Sequence, residues 1–301
     1  MEKDMKLDKK NELKEKLAHY LFLFNATVAI ISVAAIAFFV FYRGLQPFIP
    51  GNAEGNYNLI DFLSGLEWRP SLGKFGILYM IVGSLLATFG AIILGVPVGI
   101  LTAIFIAELA PKWAKKIIKP AVEMLAGIPS VLYGLFGLGV IVPWIMQISP
   151  QAQGQSLLAV IIVLMIMILP TVITITESAI NSVPDAYREG SFGLGATKLY
   201  TIFKVVLPAA KSGILAGVVL GIGRAIGETM AVMLVAGNPI AGLPKSIFSP
   251  IRPLTTNIAM EMSYAFGLHQ EMLFATGVVL FVFIILINLI LSRITRGSVL
   301  K

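Results

Sequence analysis

Of the 301 residues, 57% are hydrophobic and 13% charged, and the formal net charge is +7; mean hydropathy is +0.89. A chain this apolar has too little polar surface to cover a globule, which excludes a soluble enzyme, a disordered chain and a disulfide scaffold. The lack of cysteine excludes thiolate metal sites and a Cys nucleophile, and with two histidines 250 positions apart a His-based metal cluster is not expected, leaving a multi-spanning protein with a single membrane domain.

Residues 1–19 set six Lys against five acids and predict a short amphipathic or frayed helix, a cytoplasmic segment ahead of a membrane domain over 20–301. Apolar runs of roughly 20 residues cross ~30 Å of hydrocarbon as helices. Six follow. The first, 20–42, has Tyr20 and Tyr42 at its ends as interfacial anchors. It is too long for a signal peptide and reads as a retained helix. The second, 77–107, carries no charge and contains Pro97. The third is 121–147, with Glu123 near its start, and the fourth is 157–176. The fifth, 212–236, holds two charges, and the sixth, 272–292, holds none. Backbone groups in lipid must bond internally, and these runs are too long and too little alternating for barrel strands. An all-α integral membrane protein is expected.

Lys and Arg alternate between rich and poor loops. Segments 1–19, 108–120, 177–211 and 293–301 hold 17, and the intervening loops hold 5. The asymmetry predicts six spans with both termini in the cytoplasm. It also explains the net charge without a nucleic-acid partner. Loops 43–76 and 237–271 would then face out, the second stiffened by Pro239, Pro244, Pro250 and Pro253. Both exceed ordinary connectors, as a platform for an external partner would.

No phosphate-binding loop G-x-x-x-x-G-K-[ST], no Ser/His/Asp set and no paired carboxylates occur. Catalytic residues and resident cofactors are therefore not expected, and any energy must come from a gradient or another subunit. Loop 177–211 is too long for a plain connector. Leu194, Tyr200, Ile202 and Phe203 supply apolar anchors for a groove, and Gly190, Ser191, Gly193, Gly195 and Ala196 allow close approach. In the fifth span Gly213, Gly217 and Gly221 form a small-xxx-small stripe for helix packing. At ~100° per residue Arg224 and Glu228 share that face and lie at i, i+4 spacing, so an ion pair along the helix is expected. Ionisable residues inside a span mark a functional site by default; a purely structural pair is the alternative.

Several motifs resemble a known family. Glu189, then Gly190 and Ser191, Gly195 six positions on, and Leu207-Pro208 follow the pattern E-A-A-x3-G-x9-[IV]-x-L-P of bacterial ABC importer permeases, with Gly and Ser in place of the two Ala. The stretches F-I-A-E-L-A-P-K at 105–112, A-G-I-P-S-V-L-Y-G-L-F-G-L at 126–138 and G-R-A-I-G-E-T-M-A-V from Gly223 are similar to PstC-type permease subunits of phosphate importers. The resemblance implies a six-helix type I ABC importer permease fold in a bacterial or archaeal plasma membrane. It implies that Glu189, Gly190, Ser191, Gly195, Ala196, Leu207 and Pro208 dock on the ATPase, and that Arg224 and Glu228 belong to the phosphate path. The implied partners are a PstA-like second permease subunit, two PstB-like ATP-binding subunits that use the ATP, and an external PstS-like phosphate-binding protein. Rival readings are the same architecture with another oxyanion or solute, a gradient-driven transporter, and a membrane scaffold.

Overall fold

The computed structural model describes residues 2–51 and 56–299. Met1, residues 52–55 of the first long loop, and residues 300–301 of the basic tail lie outside the described residues. Helix α1 (Glu2–Leu45) runs 44 residues without a break. Its sequence has no Pro, and no Gly before Gly44, so nothing interrupts the ladder. The short N-terminal helix expected over 1–19 is therefore continuous with the first span. Near its end α1 packs on the last helix, α13 (Leu268–Val299). Phe39 meets Phe274 and Phe41 meets Phe281 edge to face, with ring centroids 5.5 and 5.6 Å apart.

After α1 come a short helix, α2 (Leu59–Ser64), capped by the Asn58 side chain, and a two-stranded antiparallel ribbon, β1 (Trp68–Arg69) with β2 (Lys74–Phe75). Helix α3 (Leu78–Ile104) contains Pro97 and ends in a π-helical turn, Phe105–Leu109. Next are α4 (Lys112–Gly127), α5 (Ser130–Phe136), a π turn at Gly137–Ile141, α6 (Val142–Ile148) and α7 (Leu157–Asn181). Then follow α8 (Asp185–Gly193), α9 (Lys198–Thr201), a π turn at Ile202–Val206, α10 (Leu207–Gly227), α11 (Met230–Val235) and α12 (Leu254–Glu261).

Among the described residues, six helical stretches are long and apolar enough to cross a membrane: Lys14–Phe48, Leu78–Leu109, Ser130–Ile148, Leu157–Asn181, Lys198–Gly227 and Leu268–Ile290. Two differ from the sequence expectation. The third starts at Ser130 rather than 121, because the helix breaks at Ile128 and Pro129, both extended. A proline disfavours helical backbone in the residue before it. The fifth begins earlier, at Lys198, and stops at Gly227 because Glu228 is extended (φ −70°, ψ 132°).

The buried centre is α7. Gly90, Gly95 and Gly99 bring α3 against Ile161, Ile168 and Val172 of α7, while Gly213, Gly217 and Gly221 bring α10 against Ala179, Ile175 and Val172. Between apolar helices in lipid, close packing of this kind is the main attraction, since lipid tails are as apolar as the side chains. Val172 is the shared contact: one methyl faces Gly99 and the other Gly221. Loops 43–76 and 237–271 join at one end of the bundle, where the backbone of Trp68 donates to Ile240 and that of Gly242 donates to Leu66, both at 2.9 Å. Segment 182–206 lies at the other end, since one span separates it from each of loops 149–156 and 237–267.

Candidate functional site: an exposed groove and a half-buried arginine

Helices α8 and α9 fold back on each other around a groove of about 920 Å³, lined by Tyr187, Gly190, Ser191, Leu194, Gly195 and Ala196 among others. Local chemistry sets this hairpin. Gly195 adopts φ +83°, its N–H donates to Phe192 O at 2.9 Å, and Ala196 N–H donates to Ser191 O at 3.1 Å. This is the paired bonding that closes a helix on a left-handed residue, where glycine carries no steric penalty. Thr197 then caps α9 through Tyr200 N–H, and the Ser191 and Thr201 hydroxyls lie 2.8 Å apart across the hairpin.

Five of the seven residues expected to dock on an ATPase gather here. Gly190, Ser191, Gly195 and Ala196 line the groove, and Glu189 lies exposed on α8. Leu207 and Pro208 lie apart, in the first turn of α10. Leu207 packs against the buried cluster of Ile104, Ile180, Ile202 and Val206. Ile202, expected as an outward anchor, belongs to that cluster at 1% exposure, whereas Leu194 stands 91% exposed. The π turn Ile202–Val206 shifts the helix face and turns Ile202 inward.

The second constellation differs from its expectation. Arg224 lies half-buried in the last turn of α10, and its Nη1 donates to Thr171 Oγ1 of α7 at 3.2 Å. No ion pair joins it to Glu228 among the described residues. The helix ends at Gly227, so the i, i+4 relation no longer operates. Glu228 Oε1 instead accepts the Ala231 N–H at 3.0 Å, and Thr255 Oγ1 donates to the Glu228 carbonyl at 3.0 Å. A crevice lined by Ser84, Thr88, Glu228 and Thr255 runs beside this break, with about 10 Å³ of free volume. That is room for about one water.

Sequence reasoning missed two polar contacts. Arg188, counted only as a loop charge, bonds Glu108 at the end of α3. Lys119 of α4 pairs with Glu177 of α7 at 3.0 Å, tying together two elements that hydropathy alone does not relate.

Residues 95–298 match the family described as binding-protein-dependent transport system inner membrane component. The chain is 43% identical over 276 residues to a probable ABC transporter permease protein, YqgH, of Bacillus subtilis, covering 89% of this chain and 88% of that one. It is 37% identical over 260 residues to the phosphate transport system permease protein PstC of Pasteurella multocida, covering 80% of each. Among solved structures it resembles a bacterial ABC transporter involved in import of the acidic polysaccharide alginate, with a TM-score of 0.65 at 17% identity over 95% of this chain and 99% of that one. An inward-facing MetNI methionine ABC transporter matches with a TM-score of 0.55 at 19% identity, over 74% of this chain and 94% of that one. The fold is thus that of a type I ABC importer permease. Such a permease works with an ATP-hydrolysing subunit and a solute-binding protein and is itself a transport subunit. The chain belongs to the family of binding-protein-dependent transport system inner membrane components.

Proposed function

We propose that this chain is a PstC-type permease subunit that moves inorganic phosphate inward across a bacterial or archaeal plasma membrane. Loops 43–76 and 237–271 face out, where a PstS-like protein delivers the anion. A PstA-like subunit completes the membrane pair. Two PstB-like subunits bind the α8–α9 grooves of the pair from the cytoplasm and use the ATP, and this chain holds no cofactor of its own. The sidedness rests on the 17-to-5 distribution of Lys and Arg. Permeases at 36–38% identity carry phosphate transport in their names, which supports the cargo.

The observation that carries the reading is Arg224. Its guanidinium has five N–H donors, and Thr171 is its one hydrogen-bond partner among the described residues. A permanent charge with free donors in a planar fork suits a tetrahedral oxyanion, and one such group binds weakly enough for release. Thr171, on the facing helix, holds the fork in place. Phosphate uptake by vesicles carrying the assembled complex tests this, with sulfate and molybdate as competitors. Uptake that needs ATP and is displaced by neither competitor is the expected outcome. Displacement by either moves the cargo to that anion, and uptake without ATP moves the protein to a gradient-driven class.

A further inference from the structure

We propose that Arg188 and Glu108 form a clasp that transmits movement of the docking helix α8 to the membrane helices. The inference rests on the reading of α8 as the ATPase docking helix. Arg188 lies on α8, and all five N–H groups of its guanidinium are engaged. Nε and Nη2 donate to Glu108 Oε1 at 3.1 and 2.7 Å. Nη2 also donates to Ile180 O at 3.0 Å, and Nη1 donates to Val183 O at 2.7 Å and Asp185 Oδ1 at 3.2 Å. One planar group thereby joins the end of α3, the end of α7 and the start of α8. The Arg188 and Glu108 side chains are 16% and 12% exposed, so solvent screening of the pair is weak.

The backbone around Glu108 is built for this contact. Glu108 sits in the π turn Phe105–Leu109, closed by Ala110 N–H on Phe105 O at 2.7 Å. A π turn inserts a residue and swings the following side chains around the helix axis. Three residues on, Pro111 opens α4, so the carboxylate sits at the joint between the span that ends at Leu109 and α4. Beneath the clasp, Ile104 of α3, Ile180 of α7 and Ile202 and Val206 after α9 form one buried cluster. A pull on α8 through a flexible loop would dissipate; through this guanidinium it reaches α3 and α7 together. Lysine has three donors and no planar fork, so it cannot reproduce the five bonds that Arg188 makes. Arg188 and Glu108 are thus positioning residues of the transport cycle, and neither touches the cargo.

The test uses the complete complex of permease pair, ATPase subunits and binding protein in proteoliposomes. It reads phosphate moved per ATP hydrolysed, complex yield and thermal midpoint for Glu108→Gln, Arg188→Lys and the double variant. Glu108→Gln keeps an acceptor and the side-chain shape, so it assembles even where Arg188→Lys does not. In Glu108→Gln, transport per ATP should fall roughly tenfold while ATP hydrolysis and yield stay near wild type. The double variant should be no worse than the worse single, as for two ends of one contact. An unchanged transport-to-ATP ratio in Glu108→Gln overturns the clasp. So does a fall that merely tracks yield or midpoint, which would make the pair scaffold. Gly195→Asp, run in parallel, separates the two readings: if it transports normally, the docking reading fails and takes the clasp with it; if it is dead while Glu108→Gln is normal, the clasp alone fails.

Discussion

Glu228 Oε1 accepts a hydrogen bond from the backbone N–H of Ala231 at 3.0 Å. The carboxylate therefore caps the first turn of α11, while Arg224 stays in the last turn of α10 against Thr171. The two charges stand on either side of a helix break, each with its own anchor. A cation suits the C-terminal end of one helix and an anion the N-terminal end of the next, so the break stabilises both where they stand.

From this separation follows a substitution series. Arg224→Gln should abolish phosphate uptake with complex yield preserved, and Arg224→Lys should retain little, because Lys lacks the fork. Glu228→Gln keeps an oxygen for Ala231 N–H and should be mild, whereas Glu228→Ala loses the cap, worth about 0.5–2 kcal/mol. The double variant Arg224→Gln, Glu228→Gln should stay dead. Recovery of uptake in the double variant would remove Arg224 from the anion path.

How legible this was differs by residue. The six spans and the glycine stripe of α10 come from hydropathy and spacing, because both record what a bilayer and close helix packing demand of every residue in a run. The break at Glu228 was not legible: Gly227 is one of several glycines in α10, and only the later contacts of Thr255 and Ala231 decide which one ends the helix. Arg188 and Glu108 are 80 positions apart, and each looks like an ordinary loop charge until α3 and α7 pack. The three π turns carry no sequence signature, yet one of them, Ile202–Val206, decides that Ile202 faces in.

Sidedness has a direct test. The native chain has no cysteine, so single introduced cysteines report without background. Asn56 and Ser246, both exposed at the joined-loop end, should react with an impermeant thiol reagent on intact cells. Ser191, and exposed Lys198 beside it, should react only after permeabilisation. Labelling of Lys198 on intact cells would invert the topology.

At the joined-loop end, Glu261 ties Trp68 of the first long loop to Arg252 and His269, near it in the second. Oε1 bonds Arg252 Nη2, and Oε2 lies 2.7 Å from both Trp68 Nε1 and His269 Nε2. Trp68, Arg252 and Glu261 are all buried. Removing one partner of such a pair leaves a charge without compensation, which costs about 3–5 kcal/mol. Glu261→Ala should therefore lower the yield and thermal midpoint of the purified complex sharply, and Glu261→Gln should do so less because it keeps the Trp68 contact. The exposed pair Lys74–Glu67 nearby provides a control, since solvent screens such a pair and it contributes little. Equal midpoints for Glu261→Ala and Lys74→Ala would show that the network does not hold the two loops together.

The last prediction separates the two demands placed on Gly195. A Cβ built there meets nothing within 4 Å, so the chain itself leaves room for a side chain. What the chain does require is φ +83°, which raises the energy of most L residues by roughly 1–2 kcal/mol and that of Asn or Asp by less. If the residue only closes α8, Gly195→Asn should transport nearly as well as wild type and Gly195→Val should be the worst. If an ATPase surface closes over the groove, side-chain size decides, and Asn and Asp should both stop uptake although the backbone accepts them. The groove lining and the 91% exposure of neighbouring Leu194 favour the second outcome. We expect Gly195→Ala to be intermediate, Gly195→Asn and Gly195→Asp to be inactive with normal insertion, and Glu189→Lys to weaken ATPase retention on purification. Phosphate uptake and ATPase copurification, measured together for the four Gly195 variants, decide between them, and full transport by Gly195→Asn assigns this glycine to the turn alone.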